Sequence, residues 1–374
     1  MSISRPINCL YIHNRRIFGP KESSWFTFHH ISKELERRGH EVAKFSVDFD
    51  MTTDEGRRIT DADWNSADCI FTVFRDAEGP LKIARARDIP SFLEINYACG
   101  EIVQPFMGQE AERIGLNSKE ELIYDFAGAG RETYELATYL VGAGNESYTE
   151  QTYKDFGVER VKMFRAAIDY DHFVPEFKER GKKIRLTFTA ASLNFRKGIT
   201  YITEAWKKLP PTYHQKIELH MFGQAPFASG TQRYFEELLR FPNVFHYGMI
   251  SNQTEKYVHE HAISDVMLCP ALAEGQSGTA LEGLSFGLFP VVSPFTGLNL
   301  DGFEAKILSH DMSLWVNEIA ETIKESVDNY IKIHEKGKRN RDLTIKKYHW
   351  RDFSGPFVDF IEKSVLEYKN RKLK

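Results

Sequence analysis

Cysteine is scarce in this sequence. Cys9, Cys69, Cys99 and Cys269 are the only four in 374 residues, all in or beside apolar stretches, and no two form a Cys-x-x-Cys pair. That argues against a disulfide framework or a structural zinc site and fits reduced, buried thiols in a cytoplasmic protein. No apolar run approaches the ~18 residues needed to span a bilayer, and Met1–Pro6 lacks the apolar stretch of a secretory signal. Neither charge sign prevails: Lys and Arg total 49 against 53 Asp and Glu, a formal charge of −4, so no overall field recruits nucleic acid. The chain shows no internal repeat and no low-complexity segment. It also has no Gly-x-Gly-x-x-Gly after Ile12, which argues against a nicotinamide enzyme.

What is present is an ordinary globular composition, 42% hydrophobic and 27% charged, which excludes a disordered or collagenous chain. At about 150 residues per domain, two domains are expected. The first part alternates strand and helix. Strands are expected at Ile7–Ile12, Glu41–Val47, Cys69–Phe74, Ser91–Asn96, Thr138–Ala143 and Val161–Arg165. A helix starting at Ser23 or Ser24 carries Trp25, Phe28, Ile31 and Leu35 at helical spacing and ends at Gly39. Further helices are expected at Leu81–Arg87 and Gln109–Phe126. A charged stretch, Glu176–Lys183, reads as a linker.

A second series follows. Its strands are expected at Ile184–Ala190, Ile217–Phe222, Val244–Tyr247, Asp265–Cys269 and Phe289–Val292. Its helices are expected at Gly198–Lys208, Thr231–Arg240, Gln253–Ala262, Gly278–Gly287, Leu314–Ile333 and Pro356–Tyr368. In Leu314–Ile333 the buried stripe is Trp315, Ile319, Ile323, Val327 and Ile331. Two Rossmann-like α/β units in one chain follow from this order.

Two segments carry chemistry. Ala273-Glu274-Gly275-Gln276-Ser277-Gly278-Thr279-Ala280-Leu281-Glu282 runs from the end of one strand into a helix. A helix start beyond a strand's carboxyl end presents free N–H groups and partial positive charge, which suits a phosphate. Glu282, one turn inside, can accept two hydrogen bonds from a ribose diol; Glu274, just before the helix, can meet sugar hydroxyls. Helix-start charge and a solvated face are the structural alternatives for these two glutamates. The second segment, Asn194-Phe195-Arg196-Lys197-Gly198, places two cations between a strand and a helix. They suit a diphosphate and can neutralise a departing nucleotide without Mg²⁺; solvated surface charge is the alternative. The pairs His29-His30 and His259/His261 suggest no metal, the latter two pointing to different helix faces.

Several pieces, in order, resemble the GT-B glycosyltransferases of the retaining family 4 type. They are the stretch 34–42 (ELERRGHEV); Ala167-Ile168-Asp169 with Phe173 and Pro175; Arg196-Lys197-Gly198; Met221-Phe222-Gly223; Tyr247-Gly248-Met249-Ile250; and Glu274 and Glu282, with seven residues between them. The resemblance implies an acceptor domain over 1–176 with a crossover helix over 353–374, and a donor domain over 177–352. It implies a retaining, metal-independent hexosyltransferase with no cofactor, whose substrates are a nucleotide-diphosphate sugar and a saccharide or lipid-linked acceptor.

Residue by residue, the resemblance implies that Glu282 binds the ribose and Glu274 the donor sugar. The Gly275, Gln276, Ser277, Gly278 and Thr279 backbone, with Lys197 and Arg196, would hold the diphosphate. Gly223 and Met249 would line the donor site, and Gly19 would lie under the phosphates from the other domain. The chain departs from the family twice. Ala191 and Ser192 stand where an Arg is usual, so Arg196 must supply that charge. Asn96 stands where many relatives have a His, with Glu94 a competing candidate. These replacements motivate an alternative, a non-catalytic sugar-nucleotide-binding subunit of a glycosylation complex. By analogy with the family, the expected role is surface polysaccharide or glycoconjugate assembly in the cytoplasm. His13, Arg15 and Arg16 in the first loop could touch an anionic acceptor or be solvated. That loop and the basic tail Lys369–Lys374 leave peripheral contact with the inner face of a membrane open beside a solvated reading.

Overall fold

In the computed structural model the described residues are 5–13, 23–46, 57–73, 77–95, 97–122, 130–144, 146–165, 167–168, 171–176 and 183–372. The first series runs β1 (Asn8–His13), α1 (Ser23–Arg37), β2 (Glu41–Ser46), α2 (Asp61–Ser66), β3 (Cys69–Val73), α3 (Glu78–Ala86), β4 (Ser91–Ile95), α4 (Gly100–Arg113), α5 (Ser118–Leu122), α6 (Arg131–Leu136), β5 (Tyr139–Ala143), α7 (Tyr148–Asp155) and β6 (Val161–Phe164). Its six strands form one parallel sheet in the order β2-β1-β3-β4-β5-β6. β3 and β4 are buried along their whole length, as parallel strands covered on both faces must be.

The second series runs β7 (Ile184–Ser192), a 3₁₀ turn (Phe195–Lys197), α8 (Ile199–Lys208), α9 (Pro211–His214), β8 (Ile217–Gln224), α10 (Ser229–Leu239), β9 (Val244–His246), α11 (Glu255–Ala262), β10 (Val266–Cys269), α12 (Gly278–Ser285), β11 (Phe289–Val292), β12 (Lys306–Ile307), α13 (Trp315–Asp328), α14 (Tyr330–Lys347) and α15 (Trp350–Lys372). Its sheet, again parallel, is ordered β12-β11-β10-β7-β8-β9.

Two helices join the halves. α15 returns to the first sheet, where Phe353, Phe357, Val358, Ile361 and Val365 share a core with Ile7, Cys9, Tyr11 and Phe71. α4 goes the other way. Val103, Met107 and Ala111, with the flanking Ala98 and Leu116, lie in the core built around Phe188, Tyr201, Trp206 and Trp315 of the second half. Polar contacts fix the same face: the Tyr201 hydroxyl donates to the buried Glu110, and Glu121 accepts from the backbone N–H of Thr231 at 2.9 Å and from the Thr231 hydroxyl. Glu120 accepts from the Ser229 N–H at 2.5 Å.

The structure corrects several sequence expectations. The helix expected over Gln109–Phe126 is two, α4 and α5, parted at Gly115, whose φ of +78° ends the first. The helix expected over Leu314–Ile333 is also two, broken at Asn329, which has left the helical region at φ −120°, ψ 40°. Trp315, Ile319 and Ile323 are buried as expected, but Ile331 is 67% exposed, because the new helix starts with a different face inward. The final helix starts at Trp350, not Pro356, which it carries internally. α2, α6, α7, α9 and β12 are short elements that periodicity did not reveal. The first loop with Arg15, Arg16 and Gly19, the position of Asn96, and residues 177–182 of the expected linker lie outside the described residues.

Candidate active site

The second sheet reverses its direction of growth between β7 and β10: one branch adds β8 and β9, the other β11 and β12. Loops leaving the carboxyl ends of two such strands diverge and open a crevice. These are the loops that carry Lys197 and Glu274. Asn194 caps the first, its side chain accepting from the Lys197 N–H at 3.2 Å. Gly198 closes it at φ +86°, where a methyl group would collide with the carbonyl oxygen of Pro270, so glycine allows both the turn and the approach of the second loop. The Leu272 N–H then donates to the Arg196 carbonyl at 2.8 Å, and Arg196 Nη1 donates to the Ala273 carbonyl at 2.9 Å.

Glu274 is the electrostatic centre of this junction. It is 6% exposed, forms an ion pair with Lys197, and lies 3.2 Å from Arg196 Nη1. Burial alone raises a carboxyl group, but the charges of Lys197 and then Arg196, with their hydrogen bonds, outweigh it and hold Glu274 below the ordinary carboxylate range. Arg196 is itself buried, with its guanidinium 5.4 Å from the centre of the Tyr97 ring. A solvated surface role for Arg196 and Glu274 is thereby overturned.

The stretch that follows turns into α12. Ser277 caps the helix, its hydroxyl accepting from the Ala280 N–H at 3.4 Å, and its own N–H donates to the Thr296 carbonyl at 3.0 Å. Gly275 and Ser277 are buried, while Gln276, Gly278 and Thr279 are half-buried at the helix start. Among the described residues, the Gly275 N–H has no hydrogen-bond acceptor.

Glu282 lies one turn further on and is 5% exposed, not on a solvated face. Its two oxygens accept from the Tyr257 hydroxyl at 2.5 Å and from Asn252 Nδ2 at 2.8 Å. Burial pushes its carboxyl up, and these two hydrogen bonds and the charge of His172 offset only part of that. Tyr257 is held in turn by His261, whose ring stacks on it at 4.0 Å. The His261 Nδ1 faces the Tyr257 carbonyl and its Nε2 faces the Thr189 hydroxyl, both at 2.8 Å. A carbonyl only accepts, so Nδ1 carries a proton, and burial, which holds the ring down to about 4, keeps it neutral at pH 7. Beside this group, Phe222 and Tyr247 stack at 4.6 Å, with the Lys256 ammonium over Tyr247. Gly223, next to last in β8, lies against Ala190, and Met249 is 52% exposed in the loop after β9.

Residues 173–343 match the family model described as Glycosyl transferases group 1. That stretch is similar to the glycosyl transferases group 1 family, and the match takes in less than half of the chain. No curated protein sequence matches the chain. Solved structures similar to it include a sucrose-phosphate synthase from Thermosynechococcus elongatus (12% identity, 96% of this chain and 100% of that one, TM-score 0.68). Anabaena Alr3699/HepE, solved in complex with UDP-glucose, is similar at 12% identity over 96% of this chain and 100% of that one, TM-score 0.62. WaaG, a glycosyltransferase involved in lipopolysaccharide biosynthesis, is similar at 15% identity over 90% and 95%, TM-score 0.60. At these identities the likeness shows the fold, and the fold is GT-B.

Within the group 1 stretch, the structure brings Lys197, Arg196 and Glu274 together and places Gly275 to Thr279 directly after them. Glu282 sits on the same helix with partners of its own. Sequence reading did not single out Asn252, Tyr257 or Thr149. Asn252 follows Ile250 closely, and Thr254 caps the helix that carries Tyr257, so both were within reach of a loop-by-loop reading. Thr149 was not, because its contact with this site spans 125 positions.

Proposed function

We propose that the chain is a retaining glycosyltransferase that moves a sugar from a nucleotide-diphosphate sugar to an acceptor hydroxyl. The observation that carries this reading is the junction of Lys197, Arg196 and Glu274 at the switch point, beside the start of α12. Positive charge and helix-start N–H groups suit a diphosphate, and a carboxylate suits sugar hydroxyls. Lys197 and Arg196 offset the charge that grows on the leaving diphosphate, so the reaction requires no metal. The donor binds the second half, with Glu282, oriented by Tyr257 and Asn252, on the ribose. The acceptor binds the first half, and attack comes from the face the phosphate leaves. The expected division is 1–176 with 353–374 as acceptor domain and 177–352 as donor domain.

The family match and the GT-B fold support donor chemistry of this class. UDP-glucose in the structure of Anabaena Alr3699/HepE makes it a first donor to try. Among the described residues no helix is long and apolar enough to cross a membrane. We place the protein in the cytoplasm, in surface polysaccharide or glycoconjugate assembly, with peripheral contact at the inner face of a membrane.

A thermal-shift screen with UDP-glucose, GDP-mannose and ADP-glucose tests the reading. A true donor at about 100 times its Kd stabilises the folded state by ~2.7 kcal/mol, and labelled sugar should then pass to an acceptor or to water. Binding without transfer or hydrolysis, across an acceptor panel, would favour the non-catalytic subunit instead.

A further inference from the structure

Thr149 lies in the first turn of α7, in the half of the chain opposite the Glu274 loop, and is fully buried. Its hydroxyl faces two consecutive carbonyls of that loop, Glu274 O at 3.0 Å and Gly275 O at a closer approach. A hydroxyl has one proton to donate, so the two carbonyls share it. In a trans peptide the C=O and the following N–H point in opposite directions. Two carbonyls drawn to Thr149 therefore turn the Gly275 and Gln276 N–H groups away from it. Gly275 is buried, and its N–H meets no protein acceptor among the described residues, so it is available to water or a ligand.

The surroundings fix Thr149 in place. Its carbonyl accepts from the Thr152 hydroxyl at 2.8 Å, and the Thr152 hydroxyl accepts from the Cys99 N–H, at the start of α4, at 2.9 Å. Gly297, at φ +68°, presses its backbone against both partners: a methyl group there would collide with the Gly275 carbonyl and come within 2.6 Å of the Thr149 hydroxyl. α7, the Gly297 turn and the Glu274 loop thus meet with no room for a side chain at position 297.

We infer that Thr149 is a positioning residue supplied by the first half of the chain. It sets the orientation of the Glu274–Gln276 backbone, and through it aims the Glu274 carboxylate and the Gly275 N–H at the sugar end of a bound donor. The identity of that ligand rests on the proposed function; the hold on the loop does not.

The test compares the full-length wild type with Thr149→Val, Thr149→Ala and Thr149→Ser. The first readout needs no ligand. Hydrogen exchange is followed at the Glu274 and Ser277 amides, which donate to Phe295 O and Thr296 O. Loss of the hydroxyl in Val or Ala should speed exchange there about tenfold or more, a tenfold change in local opening corresponding to ~1.4 kcal/mol, and Ser should restore protection. Two hydroxyl-free variants keep the test usable if one fails to fold.

The second readout uses whichever of UDP-glucose, GDP-mannose or ADP-glucose binds tightest, beside its nucleoside diphosphate alone. Val and Ala should weaken sugar-nucleotide binding or turnover about tenfold, leave the nucleoside diphosphate within about threefold, and be rescued by Ser. Unchanged exchange in both folded hydroxyl-free variants overturns the inference. So does equal loss of both ligands, which would mark a general fold defect. A wild type that binds none of the three donors overturns the proposed function instead, and the exchange readout still decides whether Thr149 holds the loop.

Discussion

The Lys197 ammonium and the Glu274 carboxylate, 77 positions apart in sequence, form an ion pair at the point where the second sheet reverses direction. Neither is held by its neighbours in the chain. β7 and β10 run side by side, and the close pass of Gly198 under Pro270 brings their loops together. A bound diphosphate would draw Lys197 from Glu274 and leave the carboxylate to sugar hydroxyls.

Lys197→Ala should cut transfer by about a hundredfold, the usual cost of removing one group that stabilises developing negative charge. Glu282→Ala should lower it comparably through lost ribose binding. The check is steady-state transfer from the best donor, with circular dichroism showing that each variant stays folded. Wild-type turnover in both would remove the site assignment.

On the proposed reading, in which Lys197, Arg196 and the start of α12 meet the diphosphate charge, chelation should leave activity intact. Dialysis against EDTA followed by a transfer assay decides it, and complete loss restored by Mg²⁺ or Mn²⁺ would refute it.

Stability should fall on mild acidification. Burial holds the His261 ring down to about 4, and burial with the nearby Arg185 charge does the same for His220. Unfolded histidines titrate near 6.5. Between about 6.5 and 4 the unfolded chain therefore takes up protons that the folded chain refuses, and stability drops as pH falls. The full value is present above pH 6.5, and the fully buried His261 alone removes up to ~1.4 kcal/mol per pH unit below it. Urea midpoints measured from pH 7.5 to 5 should decline, and His261→Phe should flatten the decline; a slope unchanged in that variant would contradict the assignment.

Gly198→Ala should destabilise the protein by about 2 kcal/mol or more, since it combines a left-handed backbone with a collision against Pro270. It should also lower activity by prising the two loops apart. Denaturant titration beside a transfer assay reads both, and a neutral effect on stability would show that the two loops yield easily.

Most of the architecture was legible because parallel strands announce themselves. Cys69–Val73 and Phe289–Val292 are apolar runs bounded by polar or glycine-rich turns. Breaks inside helices were less visible. Nothing local at Asn329 resembles a Gly or Pro stop, and the expected stripe of α13 ran on into Ile331. The family pattern assigned Lys197 and Glu274 to one donor, on the diphosphate and the sugar; their direct ion pair became visible only with the strand order. The partners of Glu282 and the reach of Thr149 are tertiary facts. Tyr257 is one of 16 tyrosines, and no spacing marks the one whose hydroxyl meets a buried carboxylate.

The two crossing helices also bear on how the protein could be cut or recombined. A donor half expressed from Ile184 onward would lack α4 and would present to water the apolar surface that Val103, Met107 and Ala111 cover. An acceptor half ending at Phe164 would lack α15 and would bare its sheet in the same way. Chimeras made by swapping donor halves between relatives should therefore carry residues 98–122 along with the incoming half, as a graft with two separate segments.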